Sequence, residues 1–70
     1  MKVETALGTF HFSDPVRSAD GKVYFLDWVP KGLVDKVISE IDKQYGVKKC
    51  LKRKLVCEGW VELELELEKL

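Results

Sequence analysis

The stretch WVELELELEKL, Trp60–Leu70, constrains the fold more than any other part of the sequence. Apolar and acidic residues alternate in it with a period of two, and side chains with that spacing point to opposite sides of a β-strand. The acidic side carries Glu62, Glu64, Glu66 and Glu68. Such a strand needs an apolar layer against its leucines and water or cations against its glutamates.

A second strand is predicted over Val47–Cys57, and its pattern decides how the two strands pair. This stretch, VKKCLKRKLVC, mixes lysines with apolar residues, and strands pair so that like faces coincide. A two-residue turn would set Leu55 opposite Glu62. A three-residue loop, Glu58–Trp60, aligns both faces and contains the glycine that such loops need at a left-handed position. We therefore predict the pairs Leu55–Leu63, Leu51–Leu67, Lys54–Glu64 and Lys52–Glu66.

Helical spacing begins directly after Pro30. Apolar positions recur there every three or four residues, which indicates an amphipathic helix with one buried face. They are Leu33, Val34, Val37, Ile38, Ile41 and Tyr45. Proline suits the first turn of a helix and glycine commonly follows its last residue, so Pro30 and Gly46 bracket a helix over Lys31–Tyr45.

The N-terminal part of the chain predicts a hairpin with a long loop. Val3–Phe12 and Lys22–Val29 are rich in β-branched and aromatic residues, and Ser13–Gly21 between them is rich in turn formers. Gly8 interrupts the alternation of the first strand and indicates a β-bulge at that point.

These elements predict a single α+β domain over residues 1–70 with the order β-β-α-β-β. The helix carries the chain back, so strands two and three run in the same direction, and the orders 1-2-4-3 and 2-1-3-4 keep all neighbours antiparallel. We favour 1-2-4-3, a four-stranded, mostly antiparallel sheet with the helix packed on one face. This order puts the lysine-rich third strand at an edge, where lysines discourage aggregation.

Length and composition limit the size of the core. A chain of 70 residues buries only about 60% of the surface that its unfolded form exposes, so a partner or a second copy would add useful burial. Apolar residues make up 46% and charged residues 34%, which is typical of a globular chain. Twelve basic residues balance twelve acidic ones, so no overall field favours nucleic acid or an anionic membrane.

Several features favour a cytoplasmic protein. The opening residues MKVETALG lack the apolar segment of a signal peptide. Cys50 and Cys57 would lie about 23 Å apart on one strand, too far for a disulfide, so we expect buried free thiols. Abundant charge, the absence of asparagine and a single glutamine, Gln44, are typical of proteins from a thermophile.

The residues capable of chemistry form no catalytic or metal-binding motif. The glutamate row could bind a hard cation or supply paired acids for hydrolysis, but carboxylates on a flat sheet diverge into solvent. Lys52 and Lys54 on the neighbouring strand predict cross-strand salt bridges instead. His11 stands alone, and the cysteines lack ligand spacing. We therefore expect no catalytic residue, no metal and no cofactor, and a protein that is not an enzyme.

The second strand is apolar on both sides. One side carries Tyr24, Leu26 and Trp28, and the other carries Val23, Phe25, Asp27 and Val29. Because burying an unpaired Asp27 is costly, we expect the first set to face the helix and Phe25 to lie on the open side. The opposite assignment exposes Trp28 and Tyr24 instead.

Either assignment leaves large apolar side chains on a sheet face that no second helix covers. A cluster of this kind is typical of a contact surface. The predicted protein-binding residues are Phe25, Trp28, Tyr24, Trp60 and Val56. The leading hypothesis is a small non-catalytic interaction module that binds a protein partner, or itself as a homodimer, through this face or an edge strand. Alternatively, the loop Ser13–Gly21 folds over the face.

The basic run KKCLKRK supports a second hypothesis, a protein that binds single-stranded RNA or DNA. Its candidate residues are Lys48, Lys49, Lys52, Arg53 and Lys54. A sheet that carries lysines and stacking aromatics can hold a single strand. Alternation places Lys49 and Arg53 with the leucines and the other three lysines with the glutamates. The zero net charge and the adjacent glutamates favour protein binding over nucleic-acid binding.

Overall fold

The alternating C-terminal stretch forms an interior strand of a four-stranded sheet in the computed structural model, which describes all residues, Met1–Leu70. The strands are β1 (Lys2–Thr5), β2 (Gly8–His11), β3 (Val16–Arg17), β4 (Val23–Pro30), β5 (Val47–Cys57) and β6 (Trp60–Leu67). A 3₁₀ turn at Lys31–Leu33 leads into the helix α1 (Val34–Tyr45). Strands β1 and β2 form a separate pair, and the larger antiparallel sheet has the order β3-β4-β6-β5. The predicted α+β class is confirmed.

Strand β6 supplies the floor of the apolar core. Its buried residues are Val61, Leu63, Leu65 and Leu67. The helix packs over them with its own buried stripe, Val34, Val37 and Ile41. Fully burying one such side chain contributes about 1.5–3 kcal/mol, so the two matched stripes hold the helix on the sheet. The period-two and helical patterns are both confirmed.

The β5–β6 hairpin is tighter than the predicted three-residue loop. Cys57 pairs with Trp60 and leaves the two-residue turn Glu58–Gly59, in which glycine has a φ of 84°. Strand β5 then bulges between Leu55 and Cys57, between Cys50 and Lys52, and between Val47 and Lys49. The bulge nearest the turn brings like faces back together. The observed pairs are Leu55–Val61, Lys54–Glu62, Lys52–Glu64 and Cys50–Leu65. The predicted register is wrong, although Lys52 and Lys54 still stand opposite glutamates and Leu55 still stands opposite an apolar residue.

The predicted first strand is also wrong, because Val3–Phe12 forms a hairpin by itself. Thr5 pairs with Gly8, and the chain reverses at Ala6–Leu7. Gly8 has a φ of 124°, so it closes a turn and does not form a bulge within a continuous strand. The hairpin packs against α1 and buries Val3 in the core.

The edge of the sheet beside β4 is occupied by β3, which lies inside the predicted loop. Val16 pairs with Tyr24 and Arg17 with Val23. The order of β4, β6 and β5 is the one predicted for strands two, four and three. The lysine-rich β5 forms the opposite edge, as predicted.

Gly46 ends α1 in a conformation that favours glycine. Its φ is 73°, and its N–H donates to the Asp42 carbonyl at 3.0 Å. Its own carbonyl accepts a hydrogen bond from the Glu68 N–H at 2.8 Å. A Cβ on residue 46 would lie 2.9 Å from Cγ and 3.1 Å from Cβ of Glu68. The C-terminal segment is therefore tied closely to the end of the helix.

Replacing this glycine by alanine, Gly46→Ala, should lower the free energy of unfolding by about 1–2 kcal/mol, because an L-residue is strained at positive φ. The Glu68 side chain must also move. Gly59→Ala is the control, since Gly59 has a φ of 84° but no heavy atom within 4 Å of an added Cβ. Urea unfolding measures both variants. Equal losses of stability in the two variants would show that the closeness of the Glu68 side chain contributes nothing to the effect of Gly46→Ala.

Candidate interaction surface

The side of strand β4 that faces the helix is the opposite of the predicted one. Phe25 is fully buried, whereas Leu26 is 51% and Trp28 48% exposed. The prediction that Phe25 lies on the open side is therefore wrong. Asp27, whose charge motivated that prediction, is only partly buried, and its Oδ2 accepts a hydrogen bond from the Ser13 N–H at 2.7 Å. The carboxylate can share the helix side with Phe25 because it meets a backbone donor there.

The uncovered side of the four-stranded sheet, called the open face below, is divided lengthwise into three strips. Strand β4 contributes an apolar strip, β6 an acidic strip and β5 a basic strip. Cross-strand pairing aligns the strips in the rows Tyr24–Glu66–Lys49, Leu26–Glu64–Lys52 and Trp28–Glu62–Lys54. Each glutamate therefore lies between an apolar or aromatic side chain and a lysine.

Leu26, Trp28 and Trp60 form an exposed apolar patch at one end of the open face. Trp60 pairs with Pro30, so its side chain shares the face with Trp28, and it remains 41% exposed. Single exposed apolar residues are ordinary on a protein surface, whereas neighbouring ones that include tryptophan mark contact surfaces. This apolar patch is the strongest candidate for a binding site.

The residues predicted for the contact surface divide between the open face and other positions. Those on the open face are Tyr24, Trp28 and Trp60. Phe25 lies in the core, and Val56 occupies a β-bulge without a cross-strand partner. Leu26 also belongs to the apolar patch, so the prediction that it faces the helix is wrong.

The segment Ser13–Gly21 leaves the apolar patch uncovered. It contributes β3 at the sheet edge, and it reaches the open face where the Tyr24 hydroxyl donates to Asp20 Oδ2 at 3.3 Å. Desolvation, followed by the negative charge of Asp20, raises the pKa of Tyr24. The phenol therefore stays protonated and remains a donor. The alternative in which this loop covers the face is not what the structure shows.

The Asp20 carboxylate holds the turn before β4 together. It accepts hydrogen bonds from the Ser18 hydroxyl and, at 2.9 Å, from the Lys22 N–H. These two bonds, with Ser18 first, lower the pKa of Asp20 below its ordinary value of 3.8. A carboxylate with a lowered folded pKa stabilises the fold above the unfolded pKa, and that contribution is lost as the pH falls through the folded pKa.

Asp20→Asn should therefore lower the urea midpoint at neutral pH, and the difference from the native chain should disappear in strong acid. The reason is that the native carboxyl is then protonated and no longer favours the turn as an anion. Urea titrations of both chains across the acid range test this. A difference that stays constant down to strong acid would contradict it.

Lysines of β5 form ion pairs with two of the three glutamates in the acidic strip. Glu66 is buried, and its carboxylate oxygens lie 3.7 Å from Lys48 Nζ and 3.9 Å from Lys49 Nζ. Glu62 lies 3.4 Å from Lys52 Nζ. Cross-strand salt bridges between β5 and β6 are therefore present, but neither predicted pair forms, because the bulges change the partners and leave Lys54 and Glu64 without an ion pair. The partly exposed Lys52–Glu62 pair contributes only about 0.2–1 kcal/mol, whereas Lys48 and Lys49 compensate the charge of a buried carboxylate.

The basic run of β5 does not form one continuous surface. Lys49 lies on the open face opposite Glu66, because the bulge before it shifts the alternation, and its predicted place beside the leucines is wrong. Arg53 lies on the helix side and pairs with an aspartate of α1 at 3.2 Å. Lys54 is exposed and takes no part in the ion pairs of the open face.

The remaining residues capable of chemistry lie apart from one another. Cys50 and Cys57 are free thiols, as predicted, but both are exposed. Their predicted burial is wrong because β5 is an edge strand that the core leaves largely exposed. His11 is exposed on β2 opposite Lys2.

A shallow charged depression lies between α1 and the N-terminal hairpin. It is lined by Lys2, Glu4, Lys36 and Glu40. Hydrogen bonding from Lys36, together with the charge of Lys43, lowers the pKa of Glu40. These side chains are exposed or partly exposed and include ion pairs typical of a helix surface, so the depression offers no apolar wall for a ligand.

No protein-family model matches this chain, and no curated protein and no solved structure matches it significantly. No helix is both long and apolar enough to cross a membrane, and α1 has 12 residues.

Proposed function

We propose that this chain is a non-catalytic protein-interaction module whose open face binds a second copy of itself. The observation that carries the proposal is the apolar patch of Leu26, Trp28 and Trp60, which neither the helix nor a loop covers. Tryptophan in a desolvated contact is among the residues that contribute most to protein association.

The size and thinness of the molecule support a second copy as the occupant. The extents are 34 × 23 × 16 Å, so the broad side offers an area comparable to the roughly 800 Å² per partner of a standard interface. The shortest extent corresponds to one helix layer on one sheet. A second sheet can pack on the open side at about 10 Å and enlarge a core that contains only 13 apolar residues.

Charge also supports self-association. The formal net charge is +0, so two copies do not repel each other overall. Within each copy, Glu62 and Glu66 are already paired with lysines of β5. Only Glu64 of the three glutamates beside the apolar strip lacks an ion pair, so contact between two apolar patches brings one uncompensated carboxylate per copy near the interface. A symmetric dimer also needs one self-complementary patch and no second surface.

Binding of single-stranded nucleic acid is the second candidate, because the structure places aromatics and lysines on one face. Tyr24 and Trp28 share the open face with Lys52 and Lys54. The acidic strip lies between them, however, and a phosphate backbone crossing from the lysines to the aromatics would meet its carboxylates. Binding to an oligonucleotide at low salt, weakened by added salt, would favour this candidate.

Sedimentation of the native chain over a wide concentration range tests the proposal. We expect the apparent mass to rise from the 8.1 kDa monomer toward twice that value, with a dissociation constant on the order of micromolar. A strictly monomeric chain at millimolar concentration would overturn self-association. Raising the salt should leave the association nearly unchanged, since apolar contact drives it.

A further inference from the structure

The outer edge of β5 is free along its whole length. The strand spans Val47–Cys57, pairs with β6 on one side and has no strand on the other. An unpaired edge presents backbone donors and acceptors that an added strand can satisfy. Two leucines of β5, Leu51 and Leu55, are 42% and 55% exposed, so an added strand could also gain apolar contact there.

Strand β6 shows which side chains match β5. On the open face, the lysines of β5 stand opposite the glutamates of β6. On the helix side, Leu55 stands opposite Val61 and Cys50 opposite Leu65. Neighbouring strands lie about 4.8 Å apart on either side of a strand, so the β5 side chains are equally near to the position of a strand at the outer edge. A strand with the pattern of β6 fits that position.

The lysines of β5 can pair with further carboxylates. Lys54 takes no part in the ion pairs of the open face. The lysines at 48, 49 and 52 each meet a carboxylate at 3.4–3.9 Å, and an ammonium group has three donors. A second row of carboxylates on the outer side would place these cations between two acidic strips.

The bulges determine where an added strand can pair regularly. They interrupt β5 near Leu51 and near Val56, and Lys52–Leu55 lies between them without interruption. We therefore propose that this run of the β5 edge binds an extended segment of a partner protein in which acidic and apolar residues alternate. The segment adds a fifth strand to the sheet, with its acidic side chains beside Lys52 and Lys54.

Pairing of β5 with the β5 of a second copy is unfavourable in the uninterrupted run. Antiparallel pairing of β5 with itself centred between Arg53 and Lys54 would put these like charges opposite each other, and like charges in directly opposed positions are destabilising. The acidic and apolar strand of a second copy, β6, is held in the interior of its own sheet. The edge proposal is therefore separate from dimerisation through the open face.

The test uses a fluorescently labelled synthetic peptide, ELELELE, with KLKLKLK as the control peptide. We expect ELELELE to bind the native chain and the Trp28→Lys chain equally, with an affinity that falls as salt is added. Lys52→Glu/Lys54→Glu should weaken binding at least tenfold, and Lys52→Gln/Lys54→Gln should weaken it by a smaller factor. Lys31→Glu/Lys69→Glu, which makes the same change in charge at residues outside the Lys52–Leu55 run, should leave binding unchanged.

Three results would overturn the edge proposal. These are no binding of ELELELE to the native chain, equal binding of KLKLKLK, or equal loss in the control variant. Hydrogen exchange supplies a further check, because the bound peptide should protect amides of β5 and leave those of β6 unchanged. Loss of protection in β6 would mean that the peptide replaces β6, which would also contradict an added strand.

Discussion

Phe25→Ala should lower the free energy of unfolding by about 3–5 kcal/mol, whereas Leu26→Ala should lower it by less than about 1 kcal/mol. The two residues are neighbours on β4, but Phe25 is fully buried under α1 and Leu26 is 51% exposed. A domain of this length has only about 4–10 kcal/mol of stability in total, so the Phe25 variant should be substantially unfolded at physiological temperature. Urea unfolding followed by circular dichroism measures both.

The comparison is best made at low protein concentration, where self-association contributes little to stability. Similar losses in the two variants, or a larger loss for Leu26→Ala, would mean that β4 faces the other way. That outcome would also remove the apolar patch from the open face.

Trp28→Lys should weaken self-association at least 100-fold, which corresponds to about 2.7 kcal/mol. The change removes a tryptophan from the centre of the apolar patch and puts a charge into the contact. Folding of the monomer should be unaffected, because the new lysine stands opposite Glu62 in the sheet. Sedimentation measures the dissociation constant, and circular dichroism confirms the fold.

Leu55→Lys is the matched control for that variant. Leu55 is 55% exposed, similar to Trp28, but it pairs with Val61 and so lies on the helix side of the sheet. The Leu55→Lys change should leave the dissociation constant of the dimer within about twofold of the native value, since a surface change outside a contact has little effect. Equal weakening by both variants would show that the open face is not the contact.

The parts of the fold that the sequence predicts well are those with one unambiguous pattern. In β6 and α1 the apolar residues fall on one side only, so the type of element and its buried face follow from the spacing. The place of β5 at an edge follows from its lysines, because they are poorly suited to the middle of a two-layer fold.

The faces of β4 were mispredicted because both sides of that strand are apolar. The cost of burying an unpaired Asp27 favours the wrong side, because its carboxylate accepts a hydrogen bond from the Ser13 N–H at the margin of the core. A stronger signal was the series Val23, Phe25 and Val29, whose β-branched and aromatic side chains match the leucines of β6.

The register of β5 and the N-terminal hairpin do not follow from the residue pattern, for a different reason. Bulges add single unpaired residues, and nothing in VKKCLKRKLVC distinguishes the bulged positions from their neighbours. Gly8 interrupts the strand pattern, but a bulge and a turn both use a glycine at positive φ, and only tertiary packing against α1 separates them.

Intermolecular nuclear Overhauser effects in a mixture of isotopically labelled and unlabelled chains test the central claim most directly. They report side chains of one copy that lie within a few ångströms of another copy. If the open face is the contact, these effects should involve Leu26, Trp28 and Trp60. Intermolecular effects confined to the helix, or to β5 alone, would contradict the account, as would none at concentrations where the chain should be dimeric.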